Sequence, residues 1–194
     1  MTDDVKKAEG RLWRKILVVA GVTAALLLLA FVLKSLIGSP EWTALDFAMV
    51  AIMFFGTGLA YVLITHKRQE ALYRLAVALA AATGLLLFWT NLAVGLIGSE
   101  DEPANLMYFG VLAVAFIGSV ISRFQPRGLA VAMWVTAGVQ VLTIVIALLA
   151  GWQHLAESSL TEIIGINGFF AMLWAISGLL FRWVKQEDTP PMPS

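Results

Sequence analysis

The stretch LAVAMWVTAGVQVLTIVIALLAGWQHLA, residues 129–156, contains no Asp, Glu, Lys or Arg. A helix of about 20 apolar residues crosses the hydrocarbon core of a bilayer, and this stretch is long enough to do so. Five further stretches also lack charge, and they are Ile16–Leu33, Phe47–Thr65, Leu75–Ser99, Ala104–Ser122 and Ile163–Phe181. The pattern predicts an all-α membrane protein, a bundle of six transmembrane helices.

The overall composition points to the same class. Of the 194 residues, 60% are hydrophobic and 13% are charged, whereas a soluble domain carries about 25% charged residues. The net charge is zero, so no basic field favours nucleic acid, and we expect the lipid bilayer as the main partner. Without cysteine, disulfides, thiolate catalysis and cysteine-bound clusters are excluded.

The basic residues alternate between the two ends of the predicted helices. Twelve of the 13 Lys and Arg residues lie at the N-terminus, at every second junction or after the last helix, and only Lys34 lies on the opposite side. Short loops rich in Lys and Arg stay cytoplasmic. The sequence therefore predicts both termini inside the cell, and residues 16–184 form the transmembrane domain.

The two ends of the chain differ from the predicted spans. Residues 1–15 form a basic juxtamembrane N-terminus, which either lies as a short interfacial helix on anionic lipid or continues the first spanning helix. Residues 185–194 lack apolar periodicity, which predicts a disordered cytoplasmic tail.

Acidic residues dominate the junctions on the predicted outer side, and they allow two interpretations. Ser39-Pro40-Glu41 and Ser159-Leu160-Thr161-Glu162 resemble helix starts, where a cap and a negative charge stabilise the first turn. Alternatively, Asp46, Glu100 and Glu162 surround an acidic, outward-facing vestibule that attracts cations.

Small residues recur at helical spacing in several predicted spans. One face of a helix is marked by each of the sets Gly56 and Ala60, Ala76, Ala80 and Gly84, Gly118 and Ser122, and Ala171, Ala175 and Gly178. Close approach of small residues drives helix association in lipid. We expect these faces to pack within the chain, and a contact between subunits is the alternative.

Three amide side chains lie inside the charge-free stretches. Counting the helical rise from each predicted end places Asn91 and Asn167 at similar depth in the outer leaflet, while Gln140 lies near the middle of its helix. Gln140 belongs to a stripe that also contains Ala132, Thr136, Thr143 and Ala147. A buried amide in lipid needs a partner. These amides either bond a neighbouring helix or, together with Asp46, Glu100 and Glu162, line a polar pocket.

Residues 88–108, FWTNLAVGLIGSEDEPANLMY, resemble the junction between the third and fourth helices of small bacterial inner-membrane proteins. The similar elements are Asn-x-Ala-Val-Gly, Ile-Gly-Ser-Glu and Asn-Leu-Met-Tyr. The resemblance implies a bacterial cytoplasmic membrane and no particular activity. Within this segment, Gly95 and Gly98 suit a tight turn, and either Pro103 or Asn105 is expected to begin the next helix.

The sequence offers little for catalysis. His66 and His154 fall at opposite faces of the membrane in the predicted topology, so they cannot share a haem or a metal, and we expect no cofactor. The favoured hypothesis is a non-enzymatic accessory or scaffold protein that binds a membrane partner or a second copy of itself. The alternative is an oligomeric channel or small-solute transporter. The first predicts that the amides bond neighbouring helices, and the second predicts that they line a cavity.

Overall fold

The computed structural model describes residues 2–37, 43–68, 70–99, 101–155 and 159–185. The helices found there are α1 (Thr2–Ile37), α2 (Ala44–Thr65), α3 (Ala71–Ala93), α4 (Met107–Ile121), α5 (Pro126–Leu149) and α6 (Leu160–Trp183). Short 3-10 turns at Pro103–Leu106 and Trp152–His154 precede α4 and α6. All six helices, with the first turn added to α4, are long and apolar enough to cross a bilayer. The chain is a multi-pass membrane protein, as the charge-free stretches predict.

The ends of the helices differ in places from the sequence-based expectation. Because α1 begins at Thr2, residues 2–15 continue the first spanning helix. The helix start expected at Ser39 and Pro40 lies outside the described residues. In the structure α2 begins at Ala44, and Thr43 is its N-cap. Of the tail expected at residues 185–194, only Lys185 is described, and its backbone nitrogen donates a hydrogen bond of 3.1 Å to Glu70 Oε1.

Helices α1 and α2 form one compact unit, here called the hairpin unit. The two helices are antiparallel, because Val19 lies opposite Gly58 and Phe31 lies opposite Phe47. A Cβ atom at Gly58 would lie only 2.5 Å from Val19 Cγ1, so this glycine allows the close approach. A Cβ at Gly56 would meet nothing within 4 Å. Gly56 therefore does not contact α1 as the sequence predicts, because the close approach falls two residues later, at Gly58 on another face of α2.

Helices α3 to α6 form a second compact unit, here called the four-helix unit. Helix α6 lies between α3 and α5, and α4 packs on α5 and more lightly on α3. Its largest fully buried side chains include Tyr73, Leu87, Tyr108, Met133, Ile163, Trp174 and Phe181.

Small residues bring the helices of this unit close together. A Cβ at Gly118 in α4 would lie 2.9 Å from the Cβ of Ala132 in α5, and one at Gly178 in α6 would lie 3.2 Å from the carbonyl oxygen of Ala130. Ser177 Oγ donates a hydrogen bond of 3.0 Å to the carbonyl oxygen of Ala76 in α3. The small-residue faces of this unit thus pack within the chain, as the sequence predicts.

The turn from α4 to α5 contains two adjacent residues with positive φ, Arg123 at 50° and Phe124 at 57°. Such conformations are costly for residues other than glycine and persist only where the surroundings hold them. Here the hydroxyl of Tyr73 donates a hydrogen bond of 2.9 Å to the carbonyl oxygen of Phe124. The Tyr73 ring is itself fixed edge-on against Phe181. The start of α3 and the end of α6 therefore hold this turn.

Candidate functional site

The predicted polar stripe of α5 faces the interior of the four-helix unit. All of its members are buried, and they are Ala132, Thr136, Gln140, Thr143 and Ala147. Thr136 bonds the carbonyl oxygen of Ala132 in its own helix, a common way for a hydroxyl to be satisfied in lipid. Gln140 and Thr143 instead bond Asn167 of α6, so these two members of the stripe connect the two helices.

Gln140 and Asn167 form a hydrogen bond between α5 and α6. Gln140 Nε2 donates to Asn167 Oδ1 over 2.8 Å, and both side chains are fully buried. Thr143 Oγ1 lies 3.0 Å from the same oxygen and 2.7 Å from the carbonyl oxygen of Gln140. Because one hydroxyl carries one proton, Thr143 can donate to only one of these acceptors at a time.

The orientation of both amides follows from their bonds. Asn167 Nδ2 donates a hydrogen bond of 2.8 Å to the carbonyl oxygen of Ile163, so Asn167 Oδ1 must face α5. Only a donor can approach this oxygen, and the Nε2 atom of Gln140 is therefore the atom that does so. Gln140 Oε1 is consequently left as a buried acceptor without a hydrogen-bond partner.

Asn91 lies on α3, toward the same end of the four-helix unit as this amide pair. Helices α3 and α6 are antiparallel, and Ser177 in α6 bonds the carbonyl oxygen of Ala76 in α3. Counting the same number of residues from this contact to Asn91 along α3 leads back along α6 to Glu162, about 7.5 Å beyond Asn167. Asn91 is buried, and its Oδ1 atom has no hydrogen-bond partner among the described residues.

Tyr108 of α4 completes the group. Its phenol faces the side chains of Asn167 and Thr143, and its buried hydroxyl makes no hydrogen bond of standard geometry. Tyr108 is not among the site residues predicted from the sequence. The only signal for it there is a hydroxyl inside the charge-free stretch Ala104–Ser122. We call Asn91, Tyr108, Gln140, Thr143 and Asn167 the polar cluster.

The two described acidic residues of the proposed vestibule both lie at helix starts. Asp46 belongs to the hairpin unit, where it forms a reciprocal capping box with Thr43. Glu162 is exposed on the first turn of α6, where its backbone nitrogen is bonded by the cap Ser159. Both residues have the helix-start role that the sequence analysis offered as one interpretation. Glu100 lies outside the described residues.

The loop that follows α3 is held by one side chain, Asn105. Its Oδ1 atom accepts hydrogen bonds of 3.0 Å from the backbone nitrogens of Leu96 and Ile97. Its Nδ2 atom donates to the carbonyl oxygens of Ile97, at 3.1 Å, and Ser99, at 2.7 Å. Of the two starts expected for this segment, Pro103 is confirmed and Asn105 is not, because Asn105 bonds the preceding loop instead.

Two glycines give this loop its course, as predicted. Gly95 and Gly98 have φ values of 76° and 61°, in the left-handed region that glycine enters without strain. The turn carries Ile97 into the four-helix unit, where it is fully buried. The loop thus packs on the end of the four-helix unit that contains Asn91, a residue four positions before Gly95.

The chemistry available in the polar cluster is hydrogen bonding by neutral groups. Carboxamides and hydroxyls donate and accept, and they carry no charge at neutral pH. Among the residues that the structure describes, no group of three or more His, Asp or Glu side chains is arranged to hold a metal ion. Comparisons of the chain with protein-family models, with curated proteins and with solved structures found no match.

Proposed function

We propose that this multi-pass membrane protein is a non-enzymatic accessory or scaffold protein that binds a membrane partner or a second copy of itself. The observation that carries the proposal is the hydrogen bond between Gln140 and Asn167. A scaffold uses buried amides to fix the packing of its own helices, and its outer faces remain for lipid and partners. Asp46 and Glu162 support this interpretation, because both serve as parts of helix starts.

The exposed face of α2 is the surface we assign to partner binding. Its residues recur at helical spacing and are all exposed, and they are Leu45, Met49, Ile52, Gly56, Ala60 and Leu63. The small residues Gly56 and Ala60 lie at its centre, where they let another helix approach closely.

The proposal includes an orientation and a membrane. Both termini lie in the cytoplasm, since 12 of the 13 basic residues fall on that side. The resemblance of residues 88–108 to small bacterial inner-membrane proteins supports the bacterial cytoplasmic membrane as the location.

Single-cysteine crosslinking tests the proposal, because the chain has no cysteine of its own. We expect Ala60→Cys, in membranes treated with a bismaleimide, to give one discrete crosslinked species. A mass twice that of the chain indicates a homodimer, and another mass indicates a partner. Gly165→Cys is the matched control, since Gly165 is also exposed and a Cβ there meets nothing within 4 Å. Equal crosslinking of the two variants, or none by Ala60→Cys, would contradict the proposal.

A small-solute transporter is the second candidate, and one observation favours it. Asn91 Oδ1 and Gln140 Oε1 are buried acceptors on two helices of the four-helix unit, without hydrogen-bond partners among the described residues, and a path for a polar solute would supply donors to both. The test is solute flux in proteoliposomes carrying the wild-type protein or Asn91→Leu. Equal flux at background level across a broad panel of solutes would eliminate transport.

A further inference from the structure

Basic side chains gather at one end of the four-helix unit. There α3 begins, α4 turns into α5 and α6 ends, and each of these segments carries Lys or Arg. One of the basic side chains, on α3, is half-buried, and the others are exposed. We call this set the basic end, and its members are Arg74, Arg123, Arg127, Arg182 and Lys185.

One tyrosine joins three of the segments that carry these charges. The Tyr73 hydroxyl donates a hydrogen bond of 2.9 Å to the carbonyl oxygen of Phe124, in the turn before α5. The ring of Tyr73 packs edge-on against Phe181 at the end of α6, with 5.7 Å between the ring centroids. Each of these three aromatic residues is the sequence neighbour of an arginine, and the arginines are Arg74, Arg123 and Arg182. The three charges therefore belong to segments that meet at one packing contact.

Positive charge is in excess at this end. Glu70 is the one acidic residue in the described ranges 70–74, 122–127 and 181–185. Its Oε1 atom accepts a hydrogen bond of 3.1 Å from the backbone nitrogen of Lys185. Arg74 lies one turn after Glu70, and its buried Nε atom has no hydrogen-bond partner among the described residues. Because a guanidinium binds anionic oxygens more strongly than neutral ones, the basic end favours an anionic partner.

The basic end lies where the spanning helices leave the membrane. Arg123 lies two residues after the span that ends at Ile121, and Lys185 lies two residues after the span that ends at Trp183. Exposed apolar side chains border the charges, and they are Leu75, Ile121 and Trp183. A partner at this place meets positive charge and lipid-facing apolar surface together. A phospholipid matches both, with its phosphate and its acyl chains, whereas a dissolved phosphate matches only the charge.

We infer that the basic end binds the phosphate headgroup of an anionic phospholipid. Arginine donates paired hydrogen bonds to phosphate, and basic groups at the membrane surface attract anionic lipid. A zwitterionic headgroup brings a positive charge of its own, so it binds less well. The inference is independent of the proposed function, which concerns the exposed face of α2. It also holds for either orientation of the chain in the membrane.

Fluorine NMR in nanodiscs tests the inference on the whole chain, since Glu187 and Asp188 follow the basic end outside the described residues. Trp183 is exposed beside Arg182, and Trp152 lies before α6, at the opposite end of that helix. Fluorotryptophan therefore marks both ends, and Trp183→Phe and Trp152→Phe assign the two signals. Phosphatidylcholine nanodiscs receive a small, equal fraction of spin-labelled phosphatidylglycerol or spin-labelled phosphatidylcholine, with the label near the headgroup end of one acyl chain. We expect the phosphatidylglycerol label to broaden Trp183 more than the phosphatidylcholine label does, with no such excess at Trp152.

Two double variants test whether the charge causes this excess. Arg123→Gln with Arg182→Gln should reduce it on the order of fivefold or more, because each Lys or Arg near an anionic surface changes binding by about that factor. Arg123→Lys with Arg182→Lys is the matched control, which keeps the charge and should retain most of the excess. The signals of Trp134 and Trp174 report whether the four-helix unit stays folded, because both side chains contact glycines of neighbouring helices.

One addition distinguishes a lipid headgroup from dissolved phosphate. Inorganic phosphate is added to nanodiscs of phosphatidylcholine alone, and chloride at the same ionic strength is the control. We expect phosphate to shift the Trp183 signal no more than chloride does. A larger shift with phosphate, without any excess from phosphatidylglycerol, would assign the basic end to a soluble phosphate and overturn the inference. Equal broadening by the two labelled lipids, or an excess that survives the change to glutamine, would also overturn it.

Discussion

Gln140 and Asn167 bond each other across the α5–α6 interface through side chains that are both 0% exposed. Twenty-seven residues separate them in the chain, so the bond forms only when the two helices are correctly packed. It fixes both the depth and the rotation of α6 against α5. A purely apolar interface would fix the depth and the rotation of α6 less narrowly, because apolar side chains in lipid gain little from one register over another.

The amide pair should contribute measurably to stability. We expect Gln140→Leu to lower the free energy of unfolding by about 1 kcal/mol, in the upper part of the range for such bonds in membrane proteins. Asn167→Leu should cost more, because Asn167 also bonds Thr143 and Ile163. Unfolding in mixed micelles measures both, and a double-mutant cycle isolates their coupling. Additive effects would show that the bond is not formed in the membrane.

The loop after α3 should depend on Asn105 for its order. Asn105→Asp keeps the acceptors for Leu96 and Ile97 but loses the donors to Ile97 and Ser99. It also sets a carboxylate against two carbonyl oxygens. We expect faster hydrogen exchange of the Leu96 and Ile97 amides, by tenfold or more for a loss of about 1.4 kcal/mol. Asp101→Asn, an exposed change in the same loop, should leave exchange unchanged.

Two glycine-to-alanine changes should have opposite effects. Gly178→Ala places a Cβ 2.9 Å from Trp134 Cδ1 and 3.2 Å from the carbonyl oxygen of Ala130, and we expect a loss of about 1–3 kcal/mol in unfolding free energy. Gly138→Ala meets nothing within 4 Å and should gain about 0.5–1 kcal/mol, because alanine restricts the unfolded chain. Destabilisation of similar size by both would contradict the packing described here.

Asp46 should stabilise the start of α2 through its capping-box hydrogen bonds with Thr43 rather than through its negative charge. Its Oδ2 atom accepts hydrogen bonds from the backbone nitrogen of Thr43, at 2.6 Å, and from the Thr43 hydroxyl, at 2.9 Å. Asp46→Asn retains an acceptor and should cost little stability, whereas Asp46→Ala should cost about 1 kcal/mol. Thermal unfolding of the two variants separates the roles. If both changes have the same effect, the charge matters and not the cap.

The proposed orientation predicts which positions are accessible from outside the cell. In intact cells, a membrane-impermeant maleimide should label Asp101→Cys, and it should label Arg127→Cys only after permeabilisation. Both residues are exposed, so accessibility depends on the side of the membrane alone. The reverse pattern would place both termini outside.

Much of the fold can be predicted from this sequence because charge marks the ends of spanning helices. The rise along a helix is constant, so counting places Asn91 and Asn167 at similar depth, whereas the contact between Ala76 and Ser177 puts Asn91 about 7.5 Å further along the axis than Asn167. The helical spacing of the stripe through Gln140 keeps its members on one face of α5, and that face is buried.

The features that sequence reasoning missed depend on contacts between distant or competing residues. Asn105 finds its partners eight and nine residues back, in a loop whose path has no periodicity. Both Ser39 and Thr43 are residue types that cap helices, and the local sequence does not favour one of them as the start of α2. Gly58 rather than Gly56 meets α1, because the rotation of α2 is set by how the two helices pack.

The bonds of Asn105 also bear on how the chain enters the membrane. When α3 has been synthesised, the backbone groups of Leu96, Ile97 and Ser99 still lack the partner that satisfies them, because that partner belongs to the segment leading into α4. The loop becomes complete only when residue 105 has followed. The connection between α3 and α4 therefore reaches its final hydrogen bonding only after the first residues of the α4 segment have been made.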